Sequence, residues 1–459
     1  MMPRHTIAAL CLVAAMVSIP LRATAQENKP GCPTTPCTLQ ETIELTVSTH
    51  ALMDAARAGL GSFEAKAKAV KLAWIPTVKA QGLFSGTPGK WGDAVEGGTQ
   101  YGLENWGPVV RLEFSANMPI YAFGRISLLK EMAQMGLNVG EAQLQMARSQ
   151  LELLVVQAYF GLQLSLQLRD LLSEGEDYLG RARRHLEKLR DEDADEYDDV
   201  DMLRLQIYES EVGTFRIDAA RTAELALSGL EKLTGLRADA FSPPAKLTLL
   251  EADIGPRENY LLEAFSRRGE MRALDGALLA QGLKVKYEKR GFLPVIFIAA
   301  YYTYGRAWAV EEQGSPFAYD PYNSWFSGAA LGVEYKLDTA RQVLALDEAR
   351  AEERRLKAQH EALRQKVSME VEQAWAEVRD LKEKLTLARK AHKAARGWVI
   401  AQLDLYESGL VPFKDTADAL TAFFKQRMAY AQARFDFNVG LARLAHASGM
   451  RLAELTGSE

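Results

Sequence analysis

The chain has 459 residues, a net charge of −5 and 25% charged residues, with a mean hydropathy of −0.16. That balance excludes a bundle of membrane-spanning helices and offers no basic excess for nucleic acid. Length alone suggests about three domains, a prior that an internal repeat overrides below.

Arg4 and His5 lead into the apolar run Ile7 to Val17, and Ala23-Thr24-Ala25 supplies small residues for cleavage. Residues 1–25 read as a secretory signal peptide, with the mature chain starting at Gln26. Cys11 follows a leucine and sits too early for a lipoprotein site. In the lead, 26–38, Cys32 and Cys37 flank Pro33 and Pro36. In an exported chain they either close a small disulfide loop or stay as two idle thiols. The histidines are scattered, so no metal site and no cofactor are expected.

A first structural repeat spans 39–255. Leu39 to Ala73 reads as one helix that meets Trp74-Ile75-Pro76, where proline ends helical pairing. A strand is expected over 76–87, a glycine-rich loop from Gly86 to Gly107, and a second strand over 108–120. In that strand Val110, Leu112, Phe114, Ala116 and Met118 alternate with Arg111, Glu113, Ser115 and Asn117, the period of a strand with one apolar face. Gly124 to Arg190 then contains no proline. Met132, Val139, Met146, Leu153 and Phe160 recur every seven positions, with Met135, Ala142 and Val156 in the second seam. At ~1.5 Å per residue such a helix reaches on the order of 100 Å. The acidic stretch Asp191 to Asp201 follows, then a helix from Val200 to Leu233 ending at Gly235. Ser242-Pro243-Pro244 and Gly255-Pro256 bracket a linker.

The second repeat, 256–450, follows the same plan. A helix from Arg257 to Arg290 meets Phe292-Leu293-Pro294. Strands are expected over 294–304 and 324–337, separated by a loop from Gly305 to Asn323. A second proline-free helix runs from Thr339 to Ser408, with Val367, Ala374, Leu381, Ala388 and Ala395 in heptad register. A break at Gly409 to Pro412 and a last helix to Gly449 complete it; 451–459 is a tail. Gln157-Ala158-Tyr159 returns as Gln373-Ala374-Trp375, so the halves read as an internal duplication. The fold class is mainly α with a smaller β part.

Four strands cannot close a barrel alone, and open edges do not exist in lipid. Either several chains share one barrel, with Tyr301, Tyr302, Tyr304, Trp308, Tyr322 and Trp325 as its aromatic girdle, or these are two ordinary hairpins on a soluble scaffold. The sequence resembles the TolC family of outer-membrane efflux and secretion ducts. The resemblance is carried by Trp74-Ile75-Pro76 and Phe292-Leu293-Pro294, the strand-to-helix turn from Pro119 to Gly124, the paired long-helix motifs, and Tyr406 to Val411 followed by Asp415 to Ala419.

It implies a homotrimer in which four strands per chain build one twelve-stranded transmembrane β-barrel and antiparallel coiled-coil helices build a periplasmic tunnel. The linker near Phe241 to Pro256 would join an equatorial girdle. Substrates would pass from an inner-membrane pump, through a periplasmic adaptor (membrane fusion) complex, to the outside of a Gram-negative cell, with no chemistry at this protein. Two departures stand out: Tyr335 to Arg341 lacks the proline and glycine of the first turn, and the first repeat carries Asp191 to Asp199 where the second has Gly409-Leu410.

Asp415 and Asp418 share a helix face. The resemblance places them at the periplasmic gate, where threefold repetition focuses a negative potential and selects cations; a solvated helix N-terminus would favour the same acids. Gly409, Leu410 and Val411 form an apolar tip suited to adaptor docking, or an ordinary hairpin turn. The run Asp191 to Asp201 is either solvated or an extra collar at the mouth, and lacks the glycine and spacing of a calcium loop. A periplasmic coiled-coil adaptor or scaffold is the alternative function. An enzyme is not expected, since no G-x-S-x-G, H-E-x-x-H or Walker A run occurs.

Overall fold

Thr38 opens the first helix with a capping box. Its hydroxyl accepts from the Glu41 N–H at 3.2 Å, and the Glu41 carboxylate accepts from the Thr38 N–H at 2.9 Å. The computed structural model describes residues 37–92, 95, 98, 100–192, 197–237, 247–315, 317, 319–408 and 410–457. The signal peptide, most of the lead including Cys32, residues 193–196 of the acidic run, residues 241–246 of the linker and Gly409 lie outside them.

The elements are α1 (Leu39–Thr49), α2 (Ala51–Lys71), β1 (Thr77–Trp91), β2 (Gln100–Tyr121), α3 (Arg125–Asp191), α4 (Asp199–Thr234), α5 (Arg257–Arg267), α6 (Gly269–Lys289), β3 (Val295–Ala307), β4 (Ser324–Glu334), α7 (Thr339–Glu407), α8 (Phe413–Ser448) and α9 (Leu452–Thr456). The duplication is visible in the lengths. α1 and α5 have 11 residues each, α2 and α6 21 each, α4 and α8 36 each, and the long helices 67 and 69.

Four expectations need correction. The helices expected over Leu39 to Ala73 and Arg257 to Arg290 are each broken, at His50 and Arg268, which adopt extended backbone. His50 Nδ1 accepts from the Leu52 N–H at 3.1 Å, so it starts the second helix as a cap. Arg57 reaches back to the carbonyls of Val47 and Ser48 and closes the first. Much of the expected loop from Gly86 to Gly107 is strand. Gly89 and Gly102 mark strand positions beneath an aromatic ring rather than turns: a Cβ there would stand 2.5 or 2.3 Å from the Trp91 ring. The last strand stops at Glu334, short of residue 337, and the tail carries α9, whose Leu452 joins the core.

The strands form one antiparallel sheet in the order β1-β2-β3-β4. Below it, α3 packs between α2 and α6 near the sheet, and between α4 and α8 farther away; α7 packs on α6 and then on α8. The described residues thus form one layer with two outer edges. One edge is β1, α2 and α4; the other is β4 and α7.

The main core lies where the helix breaks meet the long helices. Val155, Val156, Phe160, Leu230, Val367, Val371, Leu441 and Leu444 are buried there. One 18-residue window of α3 is apolar enough to cross a bilayer, but 56% of it is buried inside the protein, which marks it as core. The described part of the linker threads this core. Asn438, fully buried, accepts from the Leu250 N–H at 2.9 Å and donates to the Thr248 carbonyl at 2.7 Å. Such pairing satisfies backbone groups that irregular chain cannot satisfy itself.

Candidate functional site

The paired motifs act as ties. Tyr159 donates to the Cys37 carbonyl at 3.0 Å, and Trp375 Nε1 donates to the Gly255 carbonyl at 3.1 Å. Each aromatic thus anchors the residue just before the N-cap of α1 or α5 to a long helix. Burial, followed by the nearby Glu41 charge, pushes the Tyr159 hydroxyl up to about 12. Cys37 is buried and disulfide-bonded.

The strand-to-helix turn is built as its glycine suggests. Gly124 adopts a left-handed φ of 75° as the N-cap of α3, and its carbonyl accepts from Arg290 Nη1 at 3.0 Å. Pro119 lies beside the irregularity in pairing that ends at Tyr121. The corresponding turn in the second half needs no left-handed residue. There the Thr339 N–H bonds to the Leu337 carbonyl at 2.9 Å, and Arg341 pairs with Asp338 at 3.3 Å.

At the far end, α7 and α8 meet in a hairpin whose Leu410 is 71% exposed; Val411 beside it is partly buried. Asp415 sits in the first turn of α8, where a carboxylate favours the helix N-terminus. Asp418, one turn on, is not free: its Oδ1 accepts from the Tyr208 hydroxyl of α4 at 3.0 Å. Burial first, then the hydrogen bond and charge of Asp418, raise the Tyr208 pKa.

Two further contacts join the α7–α8 pair to the α3–α4 pair. Arg427 holds Glu174 at 2.7 Å, and the Tyr406 hydroxyl meets His185 Nε2 at 3.1 Å. A cavity of about 120 Å³ lies between the pairs, lined by Leu172, Tyr178, Tyr208, Phe215 and Phe424. Tyr208, Glu174, Arg427 and His185 were not singled out from the sequence. No heptad rule separates a polar residue that bridges two helices from one that faces water. In the acidic run, Asp198 caps α4 and Asp201 pairs with Arg204 at 3.1 Å.

The sheet has two unlike faces. Cross-strand partners share a face, so the register places Val78, Phe84, Leu112, Phe114, Ile298, Tyr302, Tyr304, Trp325 and Leu331 together. That face is apolar, with aromatic residues toward its outer end. The other carries Lys79, Gln81, Arg111, Glu113, Ser115, Asn117 and Thr303. Tyr301 lies on this polar face, away from Tyr302 and Tyr304, which corrects its placement in the expected girdle. An apolar band on one face and polar groups on the other is the pattern of a barrel wall between lipid and water.

Residues 262–450 match the family described as outer membrane efflux protein. This part of the chain resembles an outer membrane efflux protein domain. No curated protein matches the chain by sequence. Among solved structures, it resembles the outer-membrane channel OprN at 20% identity and a TM-score of 0.72, covering 90% of this chain and 89% of that one. It resembles the outer membrane protein VceC of Vibrio cholerae at 17% identity and a TM-score of 0.70, covering 90% and 96%. It also resembles the open MtrE outer membrane channel of Neisseria gonorrhoeae at 18% identity and a TM-score of 0.70, covering 90% and 89%. The efflux domain covers most of the second repeat, and the shared fold extends over both. The TolC-family resemblance is borne out.

Proposed function

We propose that this chain is one subunit of a homotrimeric outer-membrane duct that carries substrates from an inner-membrane pump, through the periplasm, to the cell exterior. The observation that carries this reading is the pair of open edges. Among the described residues, β1 and β4 each lack a partner on one side. Along the helices the same edges expose apolar side chains. On α4 these are Val200, Leu203, Ile207, Ile217 and Leu225; on α7 they are Leu387, Trp398 and Leu405. α7 already buries a seam of Val367, Val371, Val378 and Val399, so this is a second stripe on a different side.

Unlike edges join head to tail, and a ring results when the rotation closes. Three copies supply twelve antiparallel strands, wide enough to leave a lumen, and remove every edge from lipid. A soluble scaffold would instead leave the apolar face of the sheet in water.

In the ring, Asp415 and Asp418 gather at the periplasmic mouth as its gate. Leu410 and Val411, with Gly409 between α7 and α8, are offered to the adaptor. Cys32 is the partner of Cys37. The domain division at residues 25, 38, 255 and 450 belongs to the same proposal.

Extraction from outer membranes in mild detergent, followed by multi-angle light scattering, tests the assembly. Three copies of the mature chain per particle are expected. A monomer, or release of the protein by osmotic shock without detergent, overturns the proposal.

A further inference from the structure

The polar face of the sheet is not uniformly polar. β1 and β2 line it with Lys79, Gln81, Arg111 and Glu113, whereas β3 and β4 line it with Phe297, Tyr301 and Phe326. These rings lie against the wall. Phe297 covers Gly332 and Tyr301 covers Gly328, its direct cross-strand partner. A Cβ on Gly332 would stand 2.5 Å from the Phe297 ring, and one on Gly328 2.6 Å from the Tyr301 oxygen. Phe326 stacks on Tyr301 at 5.2 Å between centroids and 21° between planes. Glycine beneath a ring lets it lie flat, so ring faces rather than edges are offered outward. Tyr301 is 39% exposed and Phe326 58%. Neither is needed on the lipid side, which has its own aromatic residues.

Polar groups stand beside this apolar surface. Arg111 and Glu113 pair at 2.8 Å. Glu113 is opposite Thr303, which is opposite Phe326. Two strand spacings of ~4.8 Å separate the charges from the ring. A flat apolar surface with a donor and an acceptor ~10 Å away complements a planar aromatic body bearing a polar substituent.

We propose that Tyr301 and Phe326 form a stacking platform for planar aromatic solutes on the lumen wall of the barrel, one per subunit. This rests on the duct reading, because that reading makes the polar face a lumen. It assigns a cargo class to the duct: amphiphilic molecules with fused or linked aromatic rings.

The test is single-channel recording of the purified protein in planar bilayers. Ethidium is the probe, and tetraethylammonium, of equal charge but without rings, is the comparison. Ethidium is expected to block in resolved events. The double variant Tyr301→Leu with Phe326→Leu keeps apolar bulk and loses the flat rings. It should reduce the ratio of ethidium to tetraethylammonium dwell times about tenfold, and Phe326→Trp should increase it. An unchanged ratio in both variants overturns the platform. Ethidium fluorescence anisotropy on detergent-solubilised protein gives a second measurement. Weaker binding to the leucine variant supports the platform even if no conductance is seen, whereas equal binding refutes it. Absence of any conductance in the wild type counts against the duct itself, so the two failures are distinguishable.

Discussion

His446 shows how a single residue can couple the two halves of this chain. It lies near the end of α8, where its Nδ1 meets the Ser149 hydroxyl of α3 at 2.8 Å. Arg268, at the break between α5 and α6, stands close by and pairs with Glu270 at 3.2 Å and with Glu370 of α7 at 2.5 Å. Burial would lower the Arg268 pKa, but hydrogen bonds and charge from Glu270 and Glu370 outweigh it and raise it. Burial, then the Arg268 charge, lowers the His446 pKa, against a smaller opposing effect from Glu270. The folded state therefore resists protonation that the unfolded state accepts at the ordinary imidazole value of 6.5. This contribution to stability is complete above pH 6.5 and is lost as pH falls below it, until the folded imidazole is also protonated. Thermal unfolding between pH 7.5 and 5.5 should show a falling midpoint, and His446→Gln should flatten that fall. An unchanged slope in the variant would place the sensitivity elsewhere.

At the scale of elements, the turns and ties decide where each rod begins. Gly124 is the clearest case, because it needs both a left-handed backbone and empty space. A Cβ there would stand 2.4 Å from Arg290 Nη1, the group that hydrogen-bonds the Gly124 carbonyl. Gly124→Ala should cost about 1–2 kcal/mol for the backbone alone, and more as Arg290 is displaced. The expected result is a lower midpoint for thermal unfolding. Gly291→Ala serves as the control, since nothing lies within 4 Å of a Cβ there. Equal effects from both would show that the turn tolerates a side chain. The corresponding turn at Asp338 contains no such glycine, so the two halves reach the same rod by different local chemistry.

At the scale of the whole molecule, the proposed trimer would multiply what one chain holds singly. Asp418 is tied to Tyr208 within its own subunit, and Asp415 supports the start of α8. In the proposed ring they become six carboxylates around one mouth, where like charges repel unless contacts hold the helices together. The ties from Tyr208 to Asp418, Glu174 to Arg427 and His185 to Tyr406 supply such contacts between the helix pairs. Asp415→Ala combined with Asp418→Ala should abolish cation preference in planar bilayers and relieve block by hexamminecobalt. Tyr208→Phe, which frees Asp418 without removing its charge, should raise conductance and keep the preference. If selectivity and block survive loss of both carboxylates, the acidic run around Asp198 is the better candidate.

Periodicity determined a great deal about this protein. Heptads in Met132 to Phe160 and Val367 to Ala395, alternation in Val110 to Met118, and the recurrence of Gln157-Ala158-Tyr159 as Gln373-Ala374-Trp375 made the rods, the strands and the duplication legible. These signals are local, since each depends only on spacing along the chain. The helix breaks at His50 and Arg268 were not legible. At Arg268 the extended residue is held by the distant Glu370, which no window of sequence contains, whereas at His50 an imidazole takes the capping role that Ser, Thr, Asp or Asn usually signals. The glycines beneath Phe297 and Tyr301 are not legible either, because a ring from the neighbouring strand needs the space. Only the tertiary structure set Tyr301 over Gly328, joined Asp418 to Tyr208, and left β1, α2 and α4 on one edge with β4 and α7 on the other. Those relations join residues far apart in the chain, and the register and packing that create them exist only after folding.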